Sequence, residues 1–239
     1  MTMKIEYSEE RFREGQVLLI NKPLDWTSFD IVNKIRLSLK RYLGIKKIKV
    51  GHAGTLDPLA TGLVIVCTGR ATKQIDQFLG MDKQYLANVR LGATTPSFDL
   101  ETEADKHFPT EHITQEMLDA AIASLTGEIE QVPPMFSALK INGRKAYDLA
   151  RQGKEVELKA RKITISELKL LKRDDKDLEL DVSCSKGTYI RSLARDLGYE
   201  LESGAHLTGL IRTRIGPYML SESISIEEFE KNLATFATK

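Results

Sequence analysis

The sequence holds only two cysteines, Cys67 and Cys184, too few and too far apart for a disulfide framework or a C-x-x-C metal motif. Each lies in an apolar or alternating run, so both are expected as buried thiols in a reducing compartment. Histidine is equally scarce. His52, His107, His112 and His206 stand at no ligand spacing such as H-E-x-x-H, so neither a metal nor a cofactor is expected. The chain also lacks G-x-S-x-G, G-x-G-x-x-G and G-x-x-x-x-G-K-[ST], which removes the serine-hydrolase elbow, the dinucleotide fingerprint and the P-loop. No stretch of 18 apolar residues occurs, and Met1 to Glu14 is charged where a secretory signal needs an apolar run, so a cytoplasmic protein is expected. A dominant charge sign is missing as well. With 35 Lys plus Arg against 34 Asp plus Glu, the net charge of +1 argues against a generally basic nucleic-acid binder.

The 239 residues are 41% hydrophobic and 29% charged, and they show no internal repeat, low-complexity tract or Gly/Ser linker. A chain of this mass buries about 72% of its unfolded surface, enough for a core without staples. One continuous domain over residues 1–239 is expected. The charges are not evenly spread. Between Ile31 and Leu56 lie seven basic residues and no acid; between Leu139 and Arg173, eleven basic residues face four acids; Ser97 to Glu130 carries nine acids and one lysine. Two basic blocks in a neutral chain make a polyanion partner worth testing.

Hydrophobic spacing predicts short strands at Val17 to Ile20 and Leu63 to Cys67, and a half-buried strand through Tyr85, Ala87, Val89 and Leu91. Two further strands run through Ile163 and Ile165 and through Leu178 to Cys184, as a hairpin across Arg173 to Lys176. Helices are predicted after a Ser28 cap, over Ile113 to Leu125 with Gly127 as the stop, over Arg144 to Gln152 ending at Gly153, over Ile190 to Leu201, and after a Ser225–Glu228 capping box. Without a βαβ rhythm, this is an α+β fold with a mixed, mostly antiparallel sheet flanked by helices.

The segment Gly51-His-Ala-Gly-Thr-Leu-Asp-Pro-Leu-Ala-Thr-Gly62 is expected as a tight loop ahead of a buried strand. Asp57 before Pro58 is by itself an ordinary turn start. A rigid loop aiming one carboxylate outward beside a basic helix, however, suits a functional site. A second dense segment runs from Cys184 to Gly198. There Tyr189 and Arg191 are two apart and share a face if extended, and an arginine beside Asp57 would keep the carboxylate ionised and aimed. One carboxylate with arginines and tyrosines suits covalent or electrostatic catalysis that needs no redox agent.

Six blocks in order resemble the TruB family of tRNA pseudouridine synthases: Asn21 to Ser28, Gly51 to Lys73, Tyr85 to Gly92, Gln131 to Lys140, Cys184 to Gly198 and Gly204 to Arg214. The resemblance implies the pseudouridine synthase fold and an isomerase acting on uridine 55 in the T arm of tRNA. It makes Asp57 the catalytic carboxylate, Tyr85 the tyrosine that stacks on the base and Arg191 the partner of the aspartate. His52, Tyr189 and Leu210 match positions lining the uridine pocket or the space vacated in the RNA loop, and Lys22 with Pro23 matches the pair supporting the catalytic loop. Residues 131–161 resemble a thumb-like insertion that closes on the T loop. Only 21 residues follow Tyr218, too few for a full C-terminal PUA-type domain, so a monomer without an obligatory protein partner is expected.

Two departures from the family pattern stand out. Asp25 replaces a usual glycine, and the turn after Ala93 reads Thr-Thr-Pro-Ser-Phe-Asp99; both are expected to affect loop shape outside the catalytic set. A synthase for another RNA and a non-catalytic tRNA-binding or folding module are the rival readings. The presence of Asp57, Tyr85 and Arg191 together argues for an enzyme.

Overall fold

Hydroxyl side chains of Ser8, Thr27, Thr114 and Ser225 start four helices of this chain by accepting from backbone N–H groups that the first turn leaves without partners. The computed structural model describes residues 5–137, 139–141, 143–150, 152 and 158–238. In it the chain forms two compact units, one made of the residues up to Gln84 with those from Ile211 onward, the other of Tyr85–Leu210.

The first unit opens with helix α1 (Glu9–Glu14), capped by Ser8, and strand β1 (Val17–Lys22). Helix α2 (Ser28–Leu43) follows, and its cap is Thr27, not Ser28: Thr27 accepts from the Asp30 N–H while Asp30 bonds back to the Thr27 N–H. Ser28 turns inward instead, and its hydroxyl bonds both the N–H and the carbonyl of Leu56. Strand β2 (Val50–Ala53) and strand β3 (Ala60–Thr68) leave only residues 54–59 as loop, so the glycine-rich segment is more regular than its composition suggests. Both β1 and β2 pair antiparallel with β3, from Val17 opposite Cys67 to Lys22 opposite Gly62, and from Val50 opposite Thr68 to Ala53 opposite Ile65. A 3-10 turn (Gly69–Gln74) and helix α3 (Ile75–Leu79) close the segment. Leu19, Leu63, Ile65, Phe78 and Ile215 pack together around Cys67, each contributing about 1.5–3 kcal/mol of burial.

Strand β4 (Lys83–Leu91) carries the chain into the second unit with Tyr85, Ala87, Val89 and Leu91 buried as alternation predicted. The short strands β5 (Ala93–Thr94) and β6 (Lys106–His107) pair with each other. Helix α4 (Gln115–Ser124) ends before Gly127, which opens strand β7 (Gly127–Gln131) instead of stopping the helix. In the expected insertion, β8 (Lys140–Ile141) pairs with β9 (Arg144–Lys145) and helix α5 (Ala146–Ala150) follows. The helix predicted from Arg144 therefore starts later, because Arg144 is taken into the hairpin; Gly153 lies outside the described residues. The strands β10 (Arg161–Asp174) and β11 (Asp177–Cys184) make the predicted hairpin, and the order within this unit is β4-β11-β10-β7. Helix α6 (Ile190–Glu200) buries Ile190, Leu193, Ala194 and Leu197.

Strand β12 (Ala205–Ile215), which no periodicity singled out, returns the chain to the first unit. Its burial pattern is irregular, which is why alternation did not reveal it. There β12 pairs with β13 (Tyr218–Met219), and helix α7 (Ile226–Ala237), capped by Ser225, packs Phe229 edge-on against Phe12. The registers of β1 and β2 with β3, of β7 with β10, of β10 with β11 and of β12 with β13 are antiparallel, and an isolated parallel bridge joins Ile20 to Ile224. The architecture is the expected α+β class. Cys67 and Cys184 are buried and not joined in a disulfide, and burial pushes the Cys67 thiol up to about 11.

Candidate active site

In the first unit the loop between β2 and β3 presents Asp57, half-buried, with its carbonyl accepting from the Ala60 N–H. Two buried cations hold this loop by its carbonyl groups. Lys22, at the end of β1, is fully buried, and its Nζ donates to the carbonyls of Pro23 (2.9 Å), Trp26 (2.6 Å) and Pro58 (3.2 Å), the last next to Asp57. Arg212, on β12 and 1% exposed, donates from Nε to Leu63 O (2.7 Å) and from its two terminal nitrogens toward Thr55 O (3.5 Å) and Gly54 O (3.2 Å). Carbonyls before and after Asp57 are thus tied to fixed cations, and a buried charge so satisfied escapes much of its desolvation penalty.

Gly62 makes this approach possible. Its φ is +106°, and a Cβ there would overlap the backbone of Arg212, so only glycine lets β3 and β12 close at this point. Burial is the largest influence on Lys22 and brings its pKa down to about 8; the nearby charge of Asp57 is the largest opposing one. Burial also holds His52 below the usual histidine value, helped by the positive charge of Arg212 and opposed by the Gly54 backbone, although no hydrogen bond to its buried Nδ1 forms. Its ring is neutral at pH 7. Asp25 has φ +63° and its N–H bonds Pro58 O, so the position at which the family usually has glycine is left-handed backbone, which aspartate tolerates at modest cost.

In the second unit Tyr85 on β4 and Leu210 on β12 are buried, at 9% and 8% exposure. Tyr189 and Arg191 open α6. Tyr189 caps the helix without a side-chain bond; its N–H and C=O instead engage the amide of Gln131 (2.8 and 3.1 Å), which clasps the start of the 131–161 segment to the helix. Arg191 is buried. Its guanidinium donates to Ser97 O (3.2 Å) and Phe136 O (2.8 Å) and pairs with the Asp99 carboxylate at 3.5 Å.

The turn containing Ser97 and Asp99 is therefore a seat for Arg191, not a detail remote from it. Ser97, Asp99, Gln131 and Arg212 are the site neighbours that sequence reading missed. Asp99 lies in the turn that sequence places outside the catalytic set. Arg212 lay in a strand without alternation. Phe98, between Ser97 and Asp99, has φ +63°, so the second departure from the family also falls on left-handed backbone. Among the described residues no cluster of His, Cys, Asp and Glu could hold a metal, and no helix is long and apolar enough to cross a membrane.

The comparisons with known proteins agree with one another. Residues 40–190 match the N-terminal domain model of the TruB family of pseudouridylate synthases, and residues 191–239 match the tRNA pseudouridylate synthase B C-terminal domain. The tRNA pseudouridine synthase B of Phocaeicola vulgatus is 59% identical over 218 residues, 91% of this chain and 93% of that protein. That of Flavobacterium johnsoniae is 50% identical over 94% of this chain and 98% of its own length. Among solved structures, a Cbf5–Nop10–Gar1 complex contains a chain that superposes with a TM-score of 0.70 at 27% identity, covering 93% of this chain; this chain spans only 55% of that one. With its fold, its ordered motifs and these relatives in agreement, the chain belongs to the TruB family of pseudouridylate synthases.

Proposed function

We propose that the protein isomerises uridine 55 in the T arm of tRNA to pseudouridine. The relatives named tRNA pseudouridine synthase B at 50–59% identity support this reading, and the observation that carries it is the Asp57 loop fixed by buried Lys22 and Arg212. The reaction breaks the N1–C1′ bond, joins C1′ to C5, and moves one proton from C5 so that N1 ends protonated; no atom is added and no electron exchanged. A carboxylate can hold the fragment while the base turns, whether it adds to the base or to C1′. In this reading Asp57 is that group, Arg191 keeps it ionised and aimed, and no cofactor takes part.

The target base must leave the RNA stack at a cost of a few kcal/mol. Stacking on Tyr85 returns about 1–3 kcal/mol of that. Tyr189 and Leu210 line the pocket for the flipped uridine, and neutral His52 occupies the space it vacates. Lys22 acts from beneath the loop through Pro58. The segment 131–161 closes on the T loop as a thumb. The protein works in the cytoplasm as a monomer without an obligatory partner.

The test is to incubate purified protein with an unmodified tRNA transcript and map pseudouridine by carbodiimide modification and primer extension. A single new stop, one nucleotide 3′ of position 55, is expected. No stop, or a stop elsewhere, would move the reading to a binding module or to a different RNA.

A further inference from the structure

Helix α6 carries two arginines one turn apart, Arg191 and Arg195, and at that spacing both leave the same side of the helix. They meet the same two chain segments. Arg191 donates to the carbonyls of Ser97 and Phe136, while Arg195 places its guanidinium carbon 4.9 Å from the centre of the Phe98 ring and donates to the Val132 carbonyl at 3.2 Å. The Arg195 side chain is only 11% exposed. Its Nε and Nη2 both rest on Oδ1 of Asp196, at 2.8 and 2.6 Å, which fixes the plane of the fork. The ring of Tyr199, one further turn along, lies 5.9 Å from the same guanidinium.

Both segments need holding. Phe98 sits on left-handed backbone that a bulky residue rarely adopts, and both of its backbone groups are engaged, the N–H by Thr95 O (3.0 Å) and the C=O by the Leu207 N–H (2.9 Å). The turn so held gives the Ser97 carbonyl to Arg191 and the Phe98 ring to Arg195. Val132 stands at the root of the 131–161 segment, and its carbonyl accepts from Ser192 Oγ (2.8 Å) as well as from Arg195. Four residues on, the Phe136 carbonyl takes Arg191. Displacing either segment therefore carries an acceptor away from Arg191. Adjacent residues on a helix do not face each other, so the bond from Arg195 to Asp196 adds little to the helix itself. What it does is orient the fork toward the other two segments.

We infer that Arg195 is a positioning residue for the reaction, holding the Phe98 turn and the Val132 root against α6 so that the Ser97 and Phe136 carbonyls keep the Arg191 guanidinium aimed. The inference rests on the isomerase reading, in which Arg191 orients Asp57. Arg195 takes no part in the chemical step and acts through Arg191.

The test is a double-variant cycle read in single-turnover assays on tRNA, with affinity and melting temperature measured on the same proteins. Arg195→Met keeps the stem and loses the fork, and is expected to lower the rate about tenfold while tRNA affinity stays within about twofold of the parent. Arg195→Lys returns a charge over Phe98 and is expected to recover the rate to within about threefold. In an Arg191→Lys background no planar fork remains to be aimed, so the same Arg195→Met change is expected to cost less than about twofold. A contact that served packing alone would lower the melting temperature and cost the same factor in both backgrounds. Equal losses in the two backgrounds, a parental rate in Arg195→Met, or weakened affinity with an unchanged rate would overturn the inference. If Arg195→Met does not fold, Phe98→Leu, which removes the ring and keeps an apolar side chain, carries the same comparison; if that variant also fails to fold, the contacts serve stability alone and the inference falls. An active parent with additive losses refutes the role of Arg195 alone, whereas a parent that forms no pseudouridine refutes the isomerase reading and the inference with it.

Discussion

The two units hold their central charged groups in opposite ways. In the first, Lys22 and Arg212 are buried on backbone carbonyls, so their positive charge is solvated by dipoles, and that of Lys22 still acts on Asp57 nearby. In the second, buried Arg191 meets the carboxylate of Asp99 as well as two carbonyls, so part of its charge is balanced locally. Carbonyls fix a cation's position without cancelling its field, whereas a carboxylate does both. The first arrangement suits a group whose own ionised state matters. The second suits a group that must be aimed.

The sharpest way to break the comparison is to remove the charge that the first unit favours. Asp57→Asn keeps the loop's shape and is expected to lower turnover by at least about 10⁴-fold in single-turnover assays, with RNA binding retained. Activity above a few per cent of the parent would end its assignment as the catalytic carboxylate. Arg191→Lys keeps charge beside Asp99 but loses the planar fork, and is expected to lower the rate about 10²-fold with little change in melting temperature. A variant that simply unfolds would show that Arg191 is needed for packing and not for aim.

Smaller effects separate the two loop clamps. Arg212→Met strips a partner from the buried Leu63 carbonyl and from the part-buried Gly54 and Thr55 carbonyls, and is expected to lose about 2 kcal/mol, or about 4–8 °C in melting temperature, together with rate. Arg212→Lys should recover much of the stability but less of the rate, because one ammonium cannot reach all three acceptors.

The smallest effect is a pH dependence. With Lys22 at about 8 in the folded chain and at its ordinary 10.5 when unfolded, the unfolded chain binds the extra proton between these values, so stability rises with pH across that window. Below pH 8 both states are charged and the full burial penalty is present. Denaturant melts of the parent against Lys22→Met should therefore converge or cross in the parent's favour from pH 8 to 10. Parallel pH profiles would show that Lys22 is not desolvated as its carbonyl cage implies.

Much of this was legible in the residues. Alternation located β4, β10 and β11 because each buries one face, and the amphipathic spacing of α6 survived intact. Asp57 stood out because its glycine-rich surroundings are unusual, and Asp25 because it departs from a family glycine. The cap at Thr27 was misread as Ser28, since both are hydroxyl residues and only Ser28 has Leu56 to bond. Strand β12 carries no alternation because it buries residues irregularly, and Asp99 carries no signal of its own because one acid among nine does not show which is buried.

Sequence by itself determined strands β1, β3, β4, β10 and β11, helices α2, α4, α6 and α7, the family and the candidate carboxylate, since these depend on local spacing and on ordered motifs. Only the tertiary structure decided which carbonyls Lys22 and Arg212 hold and that Asp99 and Ser97 seat Arg191. Those outcomes join residues up to about 160 positions apart, from Gly54 to Arg212 at the longest. Residue type states what a buried cation needs, but only the packed chain states which backbone supplies it.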